Sequence, residues 1–130
     1  MMSKRILVVD DEREFADLLS YRLQGEHYEV VCAASGTEAI DTARNFVPDA
    51  ILLDLLLPDL DGVSVCEILR RQPVTRLTPI ILISALTSDP TRSAAKVAGA
   101  SGYFGKPLDF VALKRTLEGL LGLGMRPASN

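Results

Sequence analysis

The sequence predicts an α/β fold: a doubly wound, open sheet of five parallel strands in the order 2-1-3-4-5, with helices on both faces. Three observations carry that prediction. Alternating or continuous β-branched runs exchange with segments of helical period five times along the chain, the pattern of a repeated strand-helix unit. The run Pro79–Ile83 is apolar throughout, as expected of a strand covered on both faces. The chain has 130 residues, 48% hydrophobic and 24% charged, which suits one domain with a real core and excludes disorder for most of it.

The first strand is expected over Lys4–Val9, followed by a helix over Glu12–Gln24 with Phe15, Leu18, Leu19 and Leu23 on its inner side and Gly25 as its stop. Tyr28–Ala33 reads as the second strand. Ser35 or Gly36 opens a helix that buries Ala39, Ile40 and Ala43, and Pro48 closes the link to the third strand at Ala50–Leu53. A longer turn, Leu55–Gly62, leads into a third helix whose Val65, Ile68 and Leu69 face inward. The fourth strand is Pro79–Ile83. Asp89-Pro90 reads as a cap followed by proline, starting a helix that stops at Gly99. A short fifth strand near Gly102–Phe104 precedes a helix that starts after Pro107, has Asp109 near its beginning, and runs to Leu121. Parallel strands joined by helices cross over with one handedness, which gives a flavodoxin-like arrangement. The domain is expected over residues 1–124, with 125–130 as a tail or the start of a linker.

Composition removes several functions. Lys and Arg number 14 against 17 Asp and Glu, a formal charge of −3, and there is no Trp, so neither a basic footprint nor a row of stacking rings is offered to nucleic acid. No direct nucleic-acid binding is expected. The apolar stretch Ala50–Leu57 is interrupted by Asp54 and stopped by Pro58, well short of the ~20 residues of a membrane-spanning helix. The start of the chain, a short apolar run ended by Asp10 and Asp11, does not read as a secretory signal, and a cytoplasmic location is expected. Cys32 and Cys66 are expected to be free, partly buried thiols. His27 has no second His near it and is not read as a ligand. Arg70, Arg71 and Arg76 read as a solvated helix end that favours the helix dipole.

In sheets of this kind a ligand site lies beyond the carboxyl ends of the strands where the winding reverses, here beside strands one and three. The residues that follow the strands are Asp10 and Asp11, Asp54, Ser84 and Lys106. Three carboxylates on one rim repel each other unless a cation sits among them. With no His or Cys in the set, the expected cation is Mg²⁺ or its close relative Mn²⁺, not zinc. Lys106 adds fixed positive charge for an anion's oxygen. Asp54 ends a buried apolar run and is the candidate nucleophile toward phosphorus, and Ser84 offers a hydroxyl to a phosphoryl oxygen.

The segments Val8-Val9-Asp10-Asp11-Glu12, Leu53-Asp54-Leu55-Leu56-Leu57-Pro58-Asp59-Leu60-Asp61-Gly62, Ile83-Ser84-Ala85 and Lys106-Pro107 resemble the signature of bacterial response-regulator receiver domains, over residues 4 to about 121. The resemblance implies a two-component phosphorelay switch that takes a phosphoryl group from a histidine kinase or a histidine phosphotransfer protein. Asp54 would be the phosphoacceptor, Asp11 a direct metal ligand, Asp10 a metal-site partner through water, and the backbone carbonyl of Leu56 a third protein ligand. Ser84 and Lys106 would contact the phosphoryl group, and the Lys106-Pro107 bond would be cis. The family also couples its hydroxyl residue to an aromatic three positions before the lysine, here Tyr103. Movement of Ser84 and Tyr103 would then reshape the face of the fourth helix, fifth strand and fifth helix, which would take a downstream protein or a second copy. Such a chain acts on itself through phosphorylation and self-dephosphorylation and turns over no separate substrate, so no enzyme in the ordinary sense is expected.

Leu56 and Leu86, two positions after Asp54 and Ser84, are apolar where many relatives are polar, which points to slow self-dephosphorylation. The turn Gly99–Tyr103 lacks the paired acids that winged-helix relatives use across a receiver dimer. Other readings fare worse. A flavodoxin-like nucleotide- or cofactor-binding module would want a glycine-rich loop where Asp10 and Asp11 stand. A phosphatase with an aspartate nucleophile would want an acid where Leu56 stands. A pseudo-receiver that works without phosphorylation would not need every catalytic position filled, as it is here.

Overall fold

The computed structural model describes residues 3–123, and the expected tail lies outside them. Strands β1 (Arg5–Val9), β2 (Glu29–Ala33), β3 (Ala50–Leu53), β4 (Ile80–Ser84) and β5 (Gly102–Gly105) alternate with helices α1 (Arg13–Gly25), α2 (Gly36–Phe46), α3 (Gly62–Arg71), α4 (Asp89–Ala98) and α5 (Phe110–Leu121). The strands pair in parallel in the order β2-β1-β3-β4-β5, as the sequence predicts. β1 and β3 are neighbours, with Val9 opposite Leu53, so Asp10 and Asp54 leave the sheet side by side.

Alternation along the strands divides the core in two. Ile6, Val8, Leu52, Ile81 and Ile83 pack with Leu19, Leu23, Leu113 and Leu117 of α1 and α5. Leu7, Val9, Ile51, Leu53, Ile80 and Leu82 pack with Ala39, Ala43, Val65, Leu69 and Ala95 of α2, α3 and α4. The three interior strands are buried along almost their whole length because helices cover both sides.

Several expectations are corrected. Leu18 does not face inward; it is 60% exposed, and the buried stripe of α1 is Ala16, Leu19 and Leu23. Adjacent helical residues diverge by ~100°, so with Leu19 and Leu23 at the centre Leu18 falls at the edge. The cap of α4 is Ser88, whose Oγ accepts from the Thr91 amide at 3.3 Å. Asp89 is instead the first helical residue, a position where its charge still favours the helix dipole. The cysteines are both free but differ in burial: Cys66 is buried on the inner face of α3, and Cys32 on edge strand β2 is exposed.

Arg70 is half-buried and engaged, not the free helix-end charge expected. Its Nε donates to the Gly99 carbonyl at 3.0 Å, and its Nη1 reaches the carbonyls of Thr75, Arg76 and Thr78 at 3.1, 3.3 and 2.7 Å. The chain after α3 curls around the guanidinium, because Thr75 is buried and its hydroxyl donates to the Leu69 carbonyl at 2.6 Å. Arg71 and Arg76 are exposed, as expected.

Candidate functional site

Each site residue is delivered by the end of a strand. The Asp10 amide donates to the Ala33 carbonyl and the Asp54 amide to the Val9 carbonyl, both at 3.0 Å, so the sheet pairing continues into the first residue past each strand. Both aspartates are 4% exposed. Ser84 is the last residue of β4 and fully buried, and its carbonyl accepts from the Lys106 amide at 3.0 Å. The Lys106–Pro107 peptide bond is cis.

Lys106 draws these ends together. Its Nζ donates to Asp10 Oδ2 at 2.9 Å, Asp54 Oδ2 at 3.1 Å and Glu12 Oε1 at 2.7 Å, and lies 4.3 Å above the Phe15 ring. Carboxylate oxygens of Asp10, Glu12 and Asp54 lie within 4.8 Å of one another. Of the three carboxylates expected on this rim, Asp10 and Asp54 are therefore in the group, whereas Asp11 is exposed and outside it. The backbone gives the reason: Asp10 continues the inward face of β1, the next side chain turns out, and the Glu12 amide donates to Asp10 Oδ1 at 2.8 Å, folding residue 12 back over the site. The Asp-Asp-Glu run was the available sign that the third acid could be Glu12.

Charge is not balanced by the lysine alone. Burial, seconded by the Asp54 charge, raises the Asp10 carboxyl above its ordinary pKa, although hydrogen bonds from Lys106 and the Glu12 amide act the other way. Burial also disfavours the Lys106 ammonium, but the hydrogen bonds to Glu12, Asp10 and Asp54 outweigh it and push its pKa above the ordinary value. One cation thus serves three carboxylates. The donor set is oxygen only, and it fits a further hard cation such as a divalent metal ion.

The loop after β3 folds over the site. The Leu56 amide donates to Asp54 Oδ1 at 3.1 Å, and the Gly62 amide to the Leu55 carbonyl at 2.8 Å. Gly62 has no room for a side chain, since a Cβ there would sit 2.4 Å from the Asp54 carbonyl oxygen and 2.7 Å from Leu55 Cα. On the other side, Leu86 joins Ser84 to Tyr103. Its amide donates to Ser84 Oγ at 3.3 Å, and its carbonyl accepts from the Tyr103 hydroxyl. The Arg92 guanidinium stacks 4.7 Å from the centre of the Tyr103 ring. Burial raises the Tyr103 pKa, so the phenol stays a donor.

The sheet order and the acidic rim with its buried lysine contact define a doubly wound domain with an acidic pocket at its switch point. Residues 6–118 match the family model of the response regulator receiver domain, and the chain belongs to that family, the receiver domains of two-component response regulators. It is 44% identical over 112 residues to the response regulator PleD of Caulobacter vibrioides, a match covering 86% of this chain and 25% of PleD. The chain therefore spans about a quarter of that relative's length. Among solved structures, it is similar to the chemotaxis response regulator CheY4 of Vibrio cholerae, with 31% identity, a TM-score of 0.85, and 92% and 99% of the two chains covered. It is likewise similar to the receiver domain of the sensor histidine kinase PA1611 of Pseudomonas aeruginosa, solved with a magnesium ion in its active-site cleft, with 32% identity, a TM-score of 0.86, and 93% and 99% covered. No helix among the described residues is long and apolar enough to cross a membrane.

Proposed function

We propose that this receiver domain is an active phosphoryl switch in which Asp54 accepts the group. The observation that carries this reading is Lys106 Nζ, held 3.1 Å from Asp54 Oδ2 and 2.9 Å from Asp10 Oδ2 at the switch point. Asp54 supplies the attacking oxygen in line with the donor's leaving group. Lys106 holds positive charge against the oxygens of the transferred group, and Ser84 turns its hydroxyl toward one of them. Asp11, Asp54 and the Leu56 carbonyl would hold Mg²⁺ directly and Asp10 through water, with Asp11 turning in from its exposed position outside the carboxylate group, and Mn²⁺ is the alternative. When bound, the ion neutralises charge on the phosphoryl oxygens. Incubation with Mg²⁺ and a small phosphodonor, followed by intact mass measurement, should add one phosphoryl group to the wild type and none to Asp54→Asn. An unmodified wild type, at any donor concentration, would end this reading.

The donor is a histidine kinase or histidine phosphotransfer protein, acting in the cytoplasm. An apolar groove of about 310 Å³ beside Lys106, lined by Phe15, Leu18, Leu19, Pro107, Leu108 and Phe110, suits a docked donor and gives the outward Leu18 a use. Phosphoryl contacts available to Ser84 in only one of two states would bias the Leu86-linked pair Ser84 and Tyr103, and through Tyr103 and Arg92 the α4-β5-α5 face that meets a downstream protein or a second copy.

Hydrolysis of the phosphorylated form is the domain's only turnover in this scheme. Leu56 and Leu86 are 52% and 43% exposed at the mouth of the site, and neither can orient a water molecule. Leu86→Glu is expected to speed decay of the phosphorylated protein by roughly an order of magnitude, as a carboxylate near the attacking water should. An unchanged half-life would remove this role.

A further inference from the structure

The loop between β3 and α3 is fastened at a third point, away from the reacting groups. At its apex the Asp59 carboxylate reaches the first turn of α2. Its Oδ1 accepts from the amides of Gly36 and Leu60, each at 2.8 Å, and its Oδ2 accepts from the amide and hydroxyl of Thr37 at 2.9 and 2.6 Å. The Gly36 and Thr37 amides are first-turn donors with no carbonyl partner inside the helix. Ser35 already caps α2 through the Glu38 amide at 3.1 Å, so Asp59 adds a second, long-range attachment. The seat is close-fitting, because a Cβ on Gly36 would meet Val65 Cγ2 at 2.8 Å and Leu60 Cβ at 3.0 Å.

We propose that Asp59 is a positioning residue for the phosphoryl-accepting site: by clamping the loop apex to α2, it holds the Leu56 backbone over Asp54, a role that rests on reading Asp54 as the phosphoacceptor. Three fastenings then fix residues 55–61, at Asp54 and Leu56, at Asp59, and at Leu55 and Gly62. A loop freed at its apex has to be ordered by the incoming cation and phosphoryl group, and that ordering appears as weaker binding. The Thr37 hydroxyl and the surrounding amides hold the Asp59 carboxyl well below the usual carboxylate range, so the clamp stays ionised at neutral pH. Asparagine is no substitute, since its amide group would face donors on one side.

The test uses Mg²⁺ itself as the probe, with affinity followed by calorimetry and loop order by amide hydrogen exchange. Asp59→Ala is expected to weaken Mg²⁺ binding about fivefold and to speed exchange at Leu56–Leu60 about tenfold or more. Thr37→Val, which removes one of the four donors and keeps the fold, should move both in the same direction by less. Ser35→Ala costs α2 its own cap without touching the clamp and should leave Mg²⁺ affinity within about twofold of wild type. Wild-type affinity and slow loop exchange in Asp59→Ala would overturn the role. If the wild type neither binds Mg²⁺ nor accepts a phosphoryl group, the phosphoacceptor reading fails; unchanged loop exchange in Asp59→Ala would separately refute the clamp.

Discussion

Lys106→Met is expected to slow phosphoryl uptake at Asp54 by about two to three orders of magnitude, the usual effect of removing one preorganised charge from a site of developing negative charge. The nucleophile stays in place, so the loss reports on charge at the transferred oxygens. A second effect goes with it. The Asp10 and Asp54 side chains are only 2% and 5% exposed, and Lys106 is their shared counter-ion, so the variant should lose about 3 kcal/mol of stability in magnesium-free buffer. Because the folded Lys106 pKa is raised, its contribution is fully present below ~10.4, the ordinary lysine value, and is lost only as pH rises through the folded value. The deficit should therefore be constant through the neutral range. Adding Mg²⁺ should recover much of the stability through binding to the folded state, but not the rate. Urea melts with and without Mg²⁺, beside single-turnover uptake of a small phosphodonor, separate the two effects. Uptake at the wild-type rate would show that the lysine contributes nothing to transfer.

What could be read from the chain follows from which interactions are local. Strand ends are marked where an apolar run meets Asp10, Asp54 or Ser84, and parallel pairing carries those ends to one rim, so the position of the site was legible. Which acid of Asp10-Asp11-Glu12 turns inward depends on the bond from the Glu12 amide to Asp10 Oδ1 and on Lys106, 94 residues from Glu12, so the choice of Glu12 over Asp11 was not. Leu18 has the periodicity of a core residue because a groove wall and a core face are equally apolar. Asp59 looks like one more polar turn residue until α2 arrives 22 residues away in sequence. Asp89 before Pro90 has the residue type of a cap, but the extended backbone and the accepting side chain fall one residue earlier, at Ser88.

Arg70 is the largest misreading, and its replacement carries the largest structural effect expected outside the site. Two arginines at a helix end, as at Arg70-Arg71, are ordinarily solvated, and nothing nearby in sequence distinguishes them. The difference is made by carbonyls that need a donor: Thr75, Arg76 and Thr78 in the turn before β4, and Gly99 at the end of α4, 29 residues away. Gly99 sits at φ +106°, and a Cβ there would meet Arg70 Cγ at 2.9 Å, so backbone and side chain fill the same space. Hydrogen bonds from a charged donor each contribute ~1.5–3 kcal/mol, but the three carbonyls around Nη1 share its two protons, so Arg70→Met should cost about 3–4 kcal/mol in total. That is a large fraction of the ~5–15 kcal/mol that holds a domain folded. Lysine has one compact head in place of the planar fork, and Arg70→Lys should recover less than half. Arg71→Met, one residue along and exposed, should cost under about 0.5 kcal/mol. Urea melts of the three variants measure these differences, and amide exchange should quicken first at residues 75–78 and at the end of α4. A loss in Arg70→Met no greater than in Arg71→Met would mean that water replaces the guanidinium at no cost and that α3 and α4 are held together without it.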